Sequence, residues 1–308
     1  MLKKNMQEDK SVDEKTSSIK FRQIGIIGWK DKSPDLAFAL EQITSWASEH
    51  PQVKFCALDN LKELVKAPLK IVKEAALLKS DLLLAIGGDG TVLSAAHKAL
   101  GHHIPILGVN AGHVGFLAET RINALPQTLD DLLAGDFSTR DRMMIDASVY
   151  HGKKCIAKQT VLNEVHVRAH APERMVNVNV LYNGTDYTEY WADSLLVSTP
   201  TGSTAYNLAA GGPIIHPATY AVVLTPVAPS SLSVRPLVMS LTDKELELKP
   251  AAGKTLDLVF DGRSCVALKP DDHVVLTQSK SFTTFLRMRH TGFVGALREK
   301  LGWTGKRG

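Results

Sequence analysis

The stretch Asp81-Leu-Leu-Leu-Ala-Ile-Gly-Gly-Asp-Gly-Thr91 decides the fold. Its first half is a short continuous apolar run ending in glycines. A parallel strand covered on both faces reads this way, whereas a strand with one wet face alternates. A helix is expected next over 91–100, then a strand over 104–109. Upstream, 21–28 reads as a buried strand, and Ser33-Pro34 as an N-cap followed by proline at the first helical position. Leu36, Leu40, Ile43 and Ala47 then recur at helical spacing, and 53–58 is a second strand. Downstream, a helix with Leu125, Leu129, Leu132 and Leu133 facing inward should stop at Gly135. This βαβ rhythm predicts an open parallel sheet.

After residue 140 the rhythm changes. Ile145, Ala147 and Val149 alternate with other residues, as do Val176, Val178 and Val180, which lead to a hairpin turn at Asn183-Gly184. Leu246 and Leu248 repeat the pattern, and so do Leu256, Leu258 and Phe260. Short strands between turns point to an antiparallel sandwich, interrupted by a helix just after Gly202. The expected division is a flexible tail over 1–20, an α/β domain over 21–140, an all-β sandwich over 141–290 and a helical tail over 291–308.

With 308 residues, 44% hydrophobic and 22% charged, the composition is that of a folded two-domain protein and excludes global disorder. The net charge of +4 is too small to require a nucleic-acid footprint or a polybasic membrane anchor, though it favours anionic small ligands. No apolar run reaches the ~18 residues of a membrane span. The start of the chain has no apolar signal stretch, so Asn183-Gly-Thr reads as a turn and not as a glycosylation site. Cys56, Cys155 and Cys265 lie far apart, which fits a reducing cytoplasm. His166 and His170 lack a third metal ligand, and His102-His103 reads as a solvated helix end.

Five segments carry chemistry. Gly87-Gly-Asp-Gly-Thr91 sits where a buried strand gives way to a helix, the edge at which open α/β sheets bind ligands. Its glycines Gly87, Gly88 and Gly90 let a ligand approach the main chain, and the helix start with Thr91 favours phosphate oxygens. Asp89 repels phosphates, so it needs a hydroxyl or a cation as partner; a tight turn with a capping Asp has the same composition. Neither a Walker A pattern nor Gly-x-Gly-x-x-Gly is present. Asn110-Ala-Gly-His-Val-Gly-Phe-Leu117 follows the next strand, and Phe116 is either an aromatic face for a base or core. Asn163-Glu164 is a polar pair in an apolar stretch, with the donors and acceptors that adenine and a ribose diol require, or else a strand end. The hydroxyl-rich run 198–206, followed by Gly211-Gly-Pro213, can pack closely on a ligand. Asp261-Gly-Arg263 is by itself an ordinary turn.

Taken in order, these segments resemble the NAD kinase family over nearly the whole chain, from about 21 to 303. Gly-Gly-Asp-Gly-Thr alone is shared with diacylglycerol-type lipid kinases; Asn163-Glu164 and Thr199-Pro-Thr-Gly-Ser-Thr-Ala-Tyr206 are far more specific. The resemblance implies an α/β N-terminal domain, a β-sandwich C-terminal domain, an active site in the crevice between them, and assembly as dimers or tetramers. It implies transfer of the terminal phosphoryl group of ATP to the 2′-hydroxyl of the adenosine ribose of NAD, with a divalent ion, Mg2+, carried by ATP. Asp89 then matches the proton acceptor and Gly90 a ligand contact beside it. Asn163 and Glu164 match the pair that holds adenine and ribose. Phe116, Asp193, Thr204, Ala205, Tyr206 and Asn207 match dinucleotide contacts, and Arg174, Ala228, Asp261 and Arg263 align with further ones. Two positions depart from the pattern: Ser230 stands where many bacterial members have His, and Trp191 where some have a basic residue. The competing readings are a lipid kinase and a catalytically silent NAD(H) sensor; the Asn-Glu pair opposes the first and Asp89 the second.

Overall fold

The structure is a computed structural model that describes residues 21–29, 34–111, 115–171, 175–288 and 292–302. The expected tail over 1–20, Ser33 and Arg174 lie outside the described residues, as does the end of the chain from 303. The described chain forms two compact units. One comprises residues 21–95, 104–140 and 284–302; the other comprises 96–103 and 141–283.

The first unit is the α/β half. Its elements are β1 (Gln23–Ile27), α1 (Pro34–Glu49), β2 (Lys54–Ala57), β3 (Lys70–Ile71), α2 (Glu74–Leu77) and β4 (Leu82–Gly87). They continue with α3 (Asp89–Ala99), β5 (Ile106–Asn110), β6 (Ala118–Arg121) and α4 (Leu125–Ala134). Strands β3, β2, β1, β4 and β5 lie in that order and all pair in parallel. Residues 82–86 of β4 are all buried, as a strand covered on both faces demands. Leu36, Leu40, Ile43 and Ala47 of α1 face the same core. Helix α4 ends at Gly135 with φ +80, a left-handed cap that glycine adopts without strain. Leu125, Leu129 and Leu132 are buried but Leu133 is exposed, against expectation. Its position on the helical wheel is about 80° from Leu125, outside the stripe that Leu125, Leu129 and Leu132 define.

The second unit is antiparallel. Its strands are β7 (Phe137–His151, which starts in the first unit), β8 (Lys154–Val161), β9 (Glu164–Ala169), β10 (Val176–Tyr182), β11 (Thr185–Ala192) and β12 (Ser194–Ser198). After the short helix α5 (Tyr206–Ala209) come β13 (Val222–Val227), β14 (Leu237–Met239), β15 (Glu245–Pro250), β16 (Leu256–Phe260), β17 (Ser264–Leu268) and β18 (Asp272–Met288). One sheet of this unit runs β11-β10-β15-β18, with β7 beside β18 and β8 beside β7; the other runs β14-β13-β12-β9-β16-β17. Their inward residues, among them Val165, Val167, Val178, Leu195, Leu248 and Leu258, form one apolar core. This is the expected sandwich. Asn183 (φ +52) and Gly184 (φ +77) close the β10–β11 hairpin with two left-handed residues. The last residues of β18 return to the first unit, where Phe285 pairs in parallel with Ile106, and α6 (Phe293–Leu301) follows.

Candidate active site

In the first unit the site grows from the end of β4. Gly87 has φ +153, and a Cβ there would collide with the Thr91 side chain, so the turn itself requires glycine. Gly88 and Gly90 differ: a Cβ on either meets nothing within 4 Å. Among the described residues nothing demands glycine at these two positions, which leaves room for a ligand against the main chain. The Gly88 carbonyl accepts N–H bonds from Thr91 (2.9 Å) and Val92 (3.3 Å), which starts α3. Asp89, the first residue of that helix, accepts the N–H of Phe116 on Oδ2 at 2.7 Å and of Leu117 on Oδ1 at 3.0 Å. Gly115 is pressed against this carboxylate, and a Cβ there would overlap Oδ1. The two backbone donors fix the Asp89 rotamer and still leave a lone pair on each oxygen. Phe116 is half-buried. The Lys300 ammonium of α6 stands 3.8 Å from its ring centroid.

In the second unit the Asn163-Glu164 pair is held from two sides. Below it, Asp261 accepts the backbone N–H groups of Leu162 (2.8 Å), Asn163 (2.8 Å) and Glu164 (2.9 Å). His97 Nε2 lies 2.7 Å from the same carboxylate. Asp261 (φ +48) and Gly262 (φ +65) are the two left-handed residues of the three-residue connection 261–263 between β16 and β17, which aims the carboxylate inward. On the other side, Thr199 Oγ1 donates to the Leu162 carbonyl at 2.5 Å, and Thr199 N–H to the Asn163 carbonyl at 2.8 Å. Gly202 lies against that carbonyl so closely that no Cβ fits. Ser203 Oγ donates to Pro200 O (2.6 Å) and accepts from Ile215 N–H (3.0 Å). The hydroxyls of this run therefore fold the loop on itself and onto Asn163.

So clamped, the pair retains unused acceptors. Among the described residues, the buried Asn163 Oδ1 and Glu164 Oε2 have no hydrogen-bond partner. Burial, and secondarily the charge of Asp261, push the Glu164 carboxyl up to about 7. His166, two residues along β9, has a buried Nε2 with no hydrogen-bond partner among the described residues and stands edge-on to Tyr206, with centroids 5.4 Å apart. Burial, aided by the Arg168 charge, lowers its basicity.

Two of the expected ligand contacts have side chains engaged within the protein. The Asp261 side chain is fully buried and its carboxylate is shared among three backbone donors and His97, so it positions Asn163 and Glu164. Asn207 is also fully buried: Nδ2 donates to Ser203 O (2.9 Å) and Pro213 O (3.1 Å), and Oδ1 accepts from Thr225 Oγ1 (2.6 Å). It fastens α5 to the sheet, and Gly212 must be glycine to lie against it. The other expected contacts remain accessible: Thr204 and Ala205 are half-buried, while Asp193, Tyr206, Ala228 and Arg263 are exposed. Ala228 sits at φ +45, a costly conformation for a residue with a Cβ. The two departures meet, since Ser230 N–H donates to the Trp191 carbonyl at 2.9 Å. His97 and Lys300 were not read from the sequence, because no motif marks them, and His166 was read there only as half of a histidine pair without a third metal ligand. A cleft of about 790 Å³ in the same unit, lined by Asp141, Tyr220, Lys244 and Phe282 among others, contains none of the candidate residues. Among the described residues no three His, Cys, Asp or Glu side chains converge as a metal site. None of their helices is long and apolar enough to cross a membrane.

Comparison with known proteins identifies the family of the chain. The profile of the ATP-NAD kinase N-terminal domain matches residues 6–137, and that of the ATP-NAD kinase C-terminal domain matches 162–288. An NAD kinase of Desulforamulus reducens is 36% identical over 280 residues, covering 90% of this chain and 96% of its own. One from Desulfatibacillum aliphaticivorans is 40% identical over 223 residues, 72% of this chain and 78% of its own. The fold is shared with yeast NADH kinase in complex with NADH (TM-score 0.82, 21% identity, 94% of this chain and 90% of that one). It is shared as well with an Archaeoglobus fulgidus NAD kinase in complex with ATP (TM-score 0.70, 21% identity, 91% and 97%). The match runs through both domains, including the Asn163-Glu164 and 199–206 segments, and the chain belongs to the NAD kinase family.

Proposed function

We propose that this chain transfers the terminal phosphoryl group of ATP to the 2′-hydroxyl of the adenosine ribose of NAD, giving NADP. Family membership supports the reaction, and the single observation that supports the assignment of residues is the clamped Asn163-Glu164 pair with buried, unused acceptors. A buried acceptor left without a donor costs about 1–3 kcal/mol, a cost that a bound adenosine relieves. Asn163 offers its amide to adenine, and Glu164 accepts from the ribose diol. Tyr206, Thr204, Ala205 and Asp193 complete the dinucleotide surface, with Ala228 and Arg263 at its rim.

Phosphoryl transfer has a loose transition state, so positioning and charge neutralisation dominate. A carboxylate is far too weak a base to strip a ribose hydroxyl in advance. Asp89 therefore orients the hydroxyl and takes its proton late, as the new P–O bond forms. Gly88 and Gly90 present the main chain at the start of α3 to the phosphates, in a turn that Gly87 and Thr91 shape. The divalent cation, Mg2+ by the chemistry of ATP, enters as part of the MgATP substrate. We further propose a homo-oligomer in a reducing cytoplasm. Incubation of the pure protein with MgATP and NAD, with NADP as the readout, tests the reaction.

A further inference from the structure

We propose that Lys300 is the protein's cation for the nucleotide phosphate chain at the Gly87–Thr91 loop, delivered there by the C-terminal helix. This rests on the kinase reading of that loop. Lys300 and the buried Leu297 are three apart and share the inward face of α6, so the ammonium is turned toward the protein. It lies 3.8 Å from the Phe116 ring centroid, and the Phe116 N–H is itself bonded to Asp89. Among the described residues its Nζ is buried with no hydrogen-bond acceptor. A lysine kept only for packing is cheaper as methionine or leucine, because its three donors have lost water and gained only a ring face. A ring face holds an ammonium in place without consuming its N–H bonds, so the donors remain available to an incoming anion.

The surroundings agree. On α3 the facing charge is Asp89, and on β6 it is Glu119; both favour the ammonium. Also on β6, Arg121 is engaged in an ion pair with Glu299 of α6, and Arg298 is the other charged neighbour on that helix. Burial outweighs the two carboxylates and brings the Lys300 ammonium down to about 8. An arriving phosphate restores its charge, so nucleotide binding is coupled to proton uptake above neutral pH.

The phosphate oxygens are those of ATP or of NAD, and steady-state kinetics on the full chain separates the two. Lys300→Met should raise KM about 10–100-fold for the nucleotide it contacts, with the other KM changed much less. In the wild type that same KM should climb above pH 8, toward about tenfold per pH unit. Lys300→Arg keeps its charge and its ring contact, so it should restore KM and abolish the climb. A rise confined to the ATP arm assigns the contact to ATP, and one confined to the NAD arm to NAD. If neither KM moves, or the climb above pH 8 persists in Lys300→Met, the proposal is wrong. Calorimetric titration of MgATP and of NAD into the same proteins gives the binding readout without turnover. Should the wild type make no NADP, the kinase reading fails, yet the titrations still decide whether Lys300 contacts a phosphate chain.

Discussion

Glu164 is the residue whose environment makes the sharpest demand. Its carboxyl is raised to about 7, against about 4.3 for an ordinary glutamate. Between these values the folded chain holds more protons than the unfolded one, so this group's contribution to stability falls as pH rises through that window. Only the ionised form accepts from a diol on both oxygens without an O–H of its own in the way, and with a full charge behind each bond. KM for NAD should therefore fall about tenfold from pH 6 to pH 8. Glu164→Gln should flatten that profile, weaken NAD by about 1–3 kcal/mol and raise Tm at pH 8 more than at pH 5. A profile identical in the two proteins would make Glu164 a structural residue. At this scale the sequence was legible in chemistry and only partly in role. Asp261 and Asn207 stand among ligand-binding motifs, yet both point inward. What separates them from Asn163 is the partners folding brings: three backbone N–H groups and His97 for Asp261, and Thr225 for Asn207. Those partners are 18 to 164 positions away, beyond any local pattern.

The elements were easier to read, because their signals are local. The apolar run of β4, the Asn183-Gly184 turn and the Gly135 cap each carry their cause in a few adjacent residues. Leu133 was misplaced because neighbouring leucines blur the edge of a helical stripe. The glycines of the two site loops now divide by mechanism. Gly90→Ala at the start of α3 meets no atom, so Tm should be unchanged while KM for a nucleotide rises. Gly202→Ala drives a Cβ into the Asn163 carbonyl and should cost about 1–3 kcal/mol of stability by overpacking. Thermal unfolding beside kinetics checks both. A destabilised Gly90→Ala with normal KM would mean that the loop is shaped by packing alone.

For the whole molecule, the change of rhythm near residue 140 was visible as a change from helical and continuous patterns to alternation. The return of 284–302 to the first unit was not, since an alternating strand such as β18 carries no mark of which unit its far end joins. Assembly is the property least written in a single chain. If neighbouring subunits complete the site, specific activity should drop on dilution in step with dissociation, and NAD should oppose both by mass action. Ultracentrifugation and assay over one concentration series test this; a fully active monomer contradicts it. The central claim is phosphoryl transfer to NAD with Asp89 as the acceptor of the proton. Its most direct measurement is NADP formation from MgATP and NAD by the pure wild type and Asp89→Asn, with NAD affinity measured on both. The account predicts NADP from the wild type and a loss of turnover of about 10²–10⁴-fold in the variant with NAD affinity largely kept. No NADP from the folded wild type, or wild-type kcat in Asp89→Asn, would contradict it.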